Sequence, residues 1–239
     1  EISACLVGSE MCIRDRIEAD LNKAGYRVTF GNVDKDAFKT EIAHMYRNGY
    51  KKIRFMDGKM EPFVVEREEL YPYEEFFKDD YITNPGLQAA MLNYFQEFRK
   101  QAPLENRGDI LKRREQIMID MMLNAEYMVP CVKEETEEEV EISHHFIDIT
   151  DRVTEKEEGE HVIAIPVFTD GFEMDKCYEG HHENMLYKFD ELVSLMDELG
   201  ASGIIINCLG ISYFMRTALM KLSLIHISEP TRQAESRMP

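Results

Sequence analysis

A helix, a glycine stop and a pair of strands recur in this chain at one fixed offset, and that repetition constrains the fold more than any other feature. Asp34 to Asn48 places Phe38, Ile42 and Met45 on one helical face, and Gly49 follows as a stop. Lys52 to Met56 then reads as a strand, Asp57-Gly58 as a hairpin turn and Pro62 to Val65 as the returning strand. Further along, Phe189 to Leu199 turns Phe189, Leu192, Val193, Met196 and Leu199 inward, Gly200 stops it, and Gly203 to Asn207 is an apolar strand with a partner near Tyr213 to Arg216. A single gap-free shift lays Phe38 on Phe189, Ile42 on Val193, Met45 on Met196, Gly49 on Gly200, Ile53 on Ile204, Phe55 on Ile206 and Phe63 on Phe214. Two copies of one α/β unit, the first truncated, give that register.

The rest of the chain fills in around these copies. Tyr26 to Phe30 alternates like a short strand, and Glu66 to Thr83 is polar, aromatic-rich and irregular, the composition of a linker or covering loop. Asn84-Pro85 starts a helix, because asparagine caps free amides and proline at the first helical position forfeits no hydrogen bond. That helix carries Leu87, Met91, Tyr94, Phe95 and Phe98 before Pro103, and a second, about Asp109 to Ala125, aligns Ile110, Ile117, Met118, Met121 and Met122. Tyr127 to Val132 reads as a strand, with Pro130 placing it near an edge or bulge. An acidic turn at Glu134 to Glu141, an alternating strand from Val140 to Ile149, a charged loop at Glu155 to Glu160 and an apolar strand from Val162 to Phe168 complete an antiparallel meander. The expected class is α/β (α+β), with a small mixed, largely antiparallel sheet packed with helices.

Both ends of the chain read as one DNA element on opposite strands. CTG TCT CTT ATA CAC ATC encodes Leu222 to Ile227, and its reverse complement, shifted by one base, opens ATG TGT ATA AGA GAC, which encodes Met11 to Asp15. This element resembles a transposase sequencing adapter. Residues 1–16 and 222–239 are accordingly expected to be adapter-derived, leaving 17–83 as a truncated unit with its linker and 84–221 as an α/β domain.

The net charge of −18 at pH 7 changes by a single unit when those ends are set aside. So acidic a chain repels phosphate backbones and anionic lipid heads, so neither nucleic acid nor a membrane surface is an expected partner. No apolar run approaches the roughly 20 residues that span a bilayer. Of the five cysteines, Cys131, Cys177 and Cys208 lie in the interior, too few and unevenly spaced for a disulfide framework, which fits a reduced, cytoplasmic setting.

Candidate chemistry is sparse. The pairs His144-His145 and His181-His182 stand out, the second four residues past Cys177 among Glu173, Asp175, Glu179 and Glu183. Adjacent histidines on a strand point to opposite faces, so one of each pair at most joins a site. Metal needs three or four converging ligands, and the paired ligand spacings of zinc sites are absent, so surface-loop histidines are the simpler reading and no metal is expected. Asp170 follows an apolar strand, where α/β proteins often hold a functional acid, but Thr169-Asp170 also reads as a helix cap before Gly171-Phe172-Glu173. Cys208 reads as a core thiol. No Gly-x-Ser-x-Gly, Gly-x-x-x-x-Gly-Lys or Gly-x-Gly-x-x-Gly motif occurs, so no catalytic residue and no cofactor are expected.

Ile165-Pro166-Val167-Phe168-Thr169-Asp170, then Phe189-Asp190-Glu191-Leu192, then Gly203-Ile204-Ile205-Ile206-Asn207 together resemble the SseB (enhanced serine sensitivity) N-terminal domain family. The Asn84-Pro85 to Phe98 helix and Tyr127-Met128-Val129-Pro130 also suit that pattern, and Cys208 departs from it where a proline often follows the asparagine. The resemblance implies a small bacterial α/β domain with no catalytic residues to carry over. The expectation is a non-enzymatic, cytoplasmic domain that acts through an unidentified protein partner. The competing reading is a small-molecule or metal-dependent enzyme using the Asp170, Cys177 and His181 region.

Overall fold

The computed structural model describes residues 2–6, 11–56, 61–78, 81–100, 107–135, 140–154, 156–178 and 182–225. The Asp57-Gly58 turn, Pro103, residues 136–139 of the acidic turn and His181 lie outside the described residues. The chain divides into two compact units, Glu1–Met118 and Ile119–Pro239. The fold is mixed α/β, as expected.

In the first unit β1 (Ile2–Leu6) pairs in parallel with β2 (Val28–Asn32), the two separated in sequence by α1 (Met11–Lys23). The α2 helix (Lys35–Arg47) starts at Asp34, whose side chain accepts from the Ala37 amide at 2.8 Å. The chain leaves the helix through Gly49 at φ 74°, and there a methyl would also lie 2.5 Å from the Pro85 carbonyl oxygen. Next come β3 (Lys52–Phe55) and β4 (Phe63–Glu66), antiparallel with Phe55 opposite Phe63 and their rings stacked at 5.0 Å. The aromatic stretch that follows does more than link. It forms α3 (Arg67–Leu70) and a single 3-10 turn (Tyr73–Glu75), and Phe77 joins Ile42 and Tyr46 of α2 in a buried cluster lined by Tyr71, Tyr73, Phe76 and Tyr81. Arg67 lies 4.0 Å from the Tyr46 ring and donates from Nη1 to the Met45 and Tyr50 carbonyls at 3.1 and 2.7 Å. It thereby satisfies acceptors at the end of α2.

The α4 helix (Pro85–Phe98) begins at the proline, but the Asn84 side chain makes no capping bond, with ψ of 62° turning it out of capping geometry. Leu87 and Met91 are buried, whereas Phe98 is exposed. In α5 (Arg107–Leu123) Met118 and Met122 form the buried stripe, and Ile117 and Met121, expected inward, face solvent. Helical residues one position from a buried one lie about 100° away from it, so the apolar run is wider than the face that packs.

The second unit holds β5 (Glu126–Glu135), β6 (Val140–His144), β7 (Ile147–Asp148), β8 (Ile163–Val167), α6 (Gly171–Asp175), β9 (Asn184–Lys188), α7 (Phe189–Leu199), β10 (Gly203–Ile206) and β11 (Tyr213–Arg216), then a helix over 217–225. One sheet runs β11-β10-β8-β7 and another β6-β5-β9, tied by paired hydrogen bonds of 2.9 Å between Met128 and Phe168. One expectation is corrected here. The single strand from Val140 to Ile149 breaks at His145-Phe146, because β6 pairs with β5 and β7 with β8. The pairs within Tyr127 to Phe168 are antiparallel as expected, and the sheet is mixed because β8 and β10 are parallel, joined by the crossover that carries α7. That pairing explains why Ala164 to Val167 and Gly203 to Ile206 are buried without alternation.

Pro130 sits inside β5, not at its end. The amide of Met128 points to Phe168, so the position two residues on faces the same edge, between that bridge and the start of the β6 ladder at Cys131. Proline's missing donor falls in a gap between partners. In α7 the residues Phe189, Leu192, Val193 and Met196 are buried as expected, but Leu195 replaces Leu199 on the inward face.

The two segments share one order of elements. Each has a helix, a left-handed glycine (Gly49 at 74°, Gly200 at 64°), an antiparallel strand pair and an immediately following helix.

Candidate functional site

The carboxyl ends of the parallel strands β8 and β10 bring together most of the second unit's buried polar groups. Ligand sites in α/β folds tend to gather at such ends. Thr169, Asp170 and Asn207 there are fully buried. Asn207 adopts φ 50°, a left-handed conformation that asparagine tolerates better than other side chains. From it the side chain reaches across to β8: Oδ1 accepts from the Thr169 amide at 3.1 Å, and Nδ2 donates to Thr169 Oγ1 at 2.9 Å. Its own amide donates to the Val167 carbonyl, and its carbonyl accepts from the Gly210 and Ser212 amides. One residue thus closes the parallel pair and folds the turn to β11.

Asp170 is the cap and not a free acid, since Oδ1 accepts from the Glu173 amide at 3.0 Å. The Glu173 carboxylate meets Lys176 Nζ at 2.7 Å and lies against Gly210, where any methyl would overlap Oε2.

Beyond α6 the turn delivers Cys177 and Tyr178 to the same end. Cys177 Sγ lies 2.8 Å from Cys208 Sγ, and both side chains are partly exposed. Cys208 packs against the Ile149, Val162, Ala164 and Ile205 core cluster but is only partly buried, whereas Cys131 is 4 % exposed. Burial, with Cys177 next, pushes the Cys208 thiol up to about 12. The Tyr178 ring packs edge-on against Phe168, His145 and His182, at centroid distances of 5.9, 5.2 and 5.0 Å, and burial followed by the two thiols pushes its hydroxyl up to about 12. One histidine of each pair therefore flanks the same tyrosine. His144 turns to the opposite face, with Nε2 3.3 Å from the Tyr187 hydroxyl.

These groups do not converge as metal ligands: among the described residues no three of His, Cys, Asp and Glu are grouped to hold an ion. Sequence reasoning placed Cys177 with the histidines and treated Cys208 separately, and it missed the Thr169–Asn207 clamp and Tyr178. No spacing rule pairs the end of one strand with the turn after a distant helix. The available signal was an asparagine ending a wholly apolar strand, a residue type suited to left-handed backbone.

A cleft of about 330 Å³ elsewhere in this unit is lined by Ile149, Val153, Ile205, Phe214, Arg152 and Arg216 among others, the last paired with Glu160 at 2.8 Å. Among the described residues no helix is long and apolar enough to cross a membrane. Compared with family models, with curated proteins and with solved structures, the chain matches none.

Proposed function

We propose that the second unit is an SseB-like, cytoplasmic, non-enzymatic module that binds a protein partner through the β6-β5-β9 sheet. The observation that carries this reading is an open strand edge beside exposed apolar side chains. Among the described residues β9 pairs only with β5. Leu186 on β9 lies opposite Met128, and Val132, four residues further along β5, shares that face; Leu186 and Val132 are 47 % and 44 % exposed. Open edges of this kind are normally blunted by charge or covered, because a foreign strand can add to them. Exposed Glu134 and Glu141 flank the β5–β6 hairpin, and the whole chain carries −18. The partner that fits is an extended segment with apolar residues at alternate positions and basic residues around them. The cap role of Asp170 favours this reading over an enzyme centred on Asp170, Cys177 and His181.

Affinity capture with the wild-type chain and with Leu186→Lys tests it. A basic protein retained by the wild type and lost by the variant, at unchanged melting temperature, is the expected result. Identical recoveries from both, or no specific recovery, would overturn it.

A further inference from the structure

We propose that Cys177 and Cys208 form an oxidisable dithiol that exchanges with a small disulfide and closes into an intramolecular bond joining the turn after α6 to the end of β10. Their sulfurs stand 2.8 Å apart, against about 2.05 Å for a formed disulfide. Both residues sit on backbone fixed independently of each other. The Cys177 amide donates to the Met174 carbonyl at 2.9 Å, behind the Asp170 cap, and Cys208 directly follows the Thr169–Asn207 clamp. Both thiols are partly exposed, whereas Cys131 is buried. The approach of the sulfurs therefore does not depend on a mobile loop.

The chemistry balances with a low-molecular-weight disulfide as the oxidant. Cys177, as thiolate, attacks one sulfur of the small disulfide, forming a mixed disulfide and expelling one small thiolate, which takes up the proton that Cys177 released. Cys208 loses its proton to solvent base and attacks Cys177 Sγ, breaking the mixed disulfide and releasing the second small thiolate, which is protonated in turn. Two protein thiols become one disulfide, and one small disulfide becomes two thiols. Cys208 packs against the buried Ile149, Val162, Ala164 and Ile205 cluster and Cys177 does not, and that burial also raises the Cys208 thiol, so Cys177 is the thiol that attacks and Cys208 resolves. Such pairs suit a reducing compartment, where disulfides are transient and redox-sensing.

The test is titration of the full chain with mixtures of oxidised and reduced glutathione, read by peptide mapping without reduction so that Cys5, Cys12 and Cys131 are followed separately. The expected product is a peptide pair linked through Cys177 and Cys208 that dithiothreitol reverses. It should form in the native chain at a lower ratio of oxidised to reduced glutathione than in the urea-unfolded chain, because the fold holds the sulfurs together. Cys208→Ser should accumulate glutathione on Cys177, and Cys177→Ser should leave Cys208 unmodified under the same conditions. The proposal is overturned by glutathione persisting on Cys177 in the wild-type chain. It is equally overturned if the linked pair forms no more readily in native than in unfolded protein, if Cys208 takes up glutathione first, or if neither cysteine reacts.

Discussion

Asn207→Ala should cost the second unit several kcal/mol of stability, about 3–5. The substitution removes the acceptor of the Thr169 amide and the donor to Thr169 Oγ1, both in a fully buried position. A buried amide left without a partner costs about 1–3 kcal/mol, and the second hydrogen bond contributes about 0.5–1.5 kcal/mol. Alanine at φ 50° adds about 1 kcal/mol, because its Cβ crowds the following carbonyl while asparagine tolerates the conformation. The total is about 3–5 kcal/mol, set against roughly 5–15 kcal/mol for a whole domain. Asn207→Gly relieves the backbone but keeps the side-chain loss, so it should fall between alanine and wild type. The chain contains no tryptophan, so urea unfolding is best followed by far-UV circular dichroism and tyrosine fluorescence. A loss below about 1 kcal/mol for Asn207→Ala would refute the clamp, since a single unpaired buried amide costs at least that much.

Gly210→Ala should destabilise the same unit by no more than about 1 kcal/mol, because the overlap is with the tip of the Glu173 side chain, which can shift; Glu173→Ala in the same chain should recover part of that loss, and a purely additive double variant would contradict the contact. Arg67→Lys should lower the first unit's stability by about 1–3 kcal/mol, because lysine lacks the planar fork that reaches two carbonyls while stacking on Tyr46. Equal melting of the first unit in both proteins would exclude that role. Burial lowers the pKa of His144, which lies against the Tyr187 hydroxyl and is hydrogen-bonded to the Pro130 backbone, with Glu198 and the adjacent His145 acting on it through charge. The unfolded chain therefore takes up this proton first as pH falls below about 6.5, stability drops towards the folded pKa and then levels off. In His144→Gln that share of the pH dependence should vanish, and an unchanged slope of stability between neutral pH and pH 5 would count against a half-buried, neutral His144.

Much of this architecture is legible in the residues because local rules and tertiary packing agree. The α7 helix has the bounds that its apolar spacing gives, and both glycines of the repeat occupy left-handed backbone where a stop was read. Asp170 caps α6 as its place before Gly171 implied. Failures occur where two elements compete for one segment. Val140, Ile142 and Phe146 are apolar at even positions and Ile147 and Ile149 at odd ones, so the alternation slips by one residue at the break, whose place is fixed by the pairing of β6 with β5 and of β7 with β8. The meeting of Cys177 with Cys208 depends on the crossover from β8 to β10, a connection that hydrophobic period does not encode. The aromatic segment after Glu66 looked irregular because its periodicity is interrupted by Pro72, although its rings fill the first unit's core.

The most direct test of the interaction reading is site-specific photo-crosslinking from Val132 and Leu186 in a cell extract, with Leu199 on α7 as an exposed control. The account predicts that one basic protein is captured from both sheet positions and not from Leu199. Capture of the same proteins from all three positions, or of none from the sheet, would contradict it.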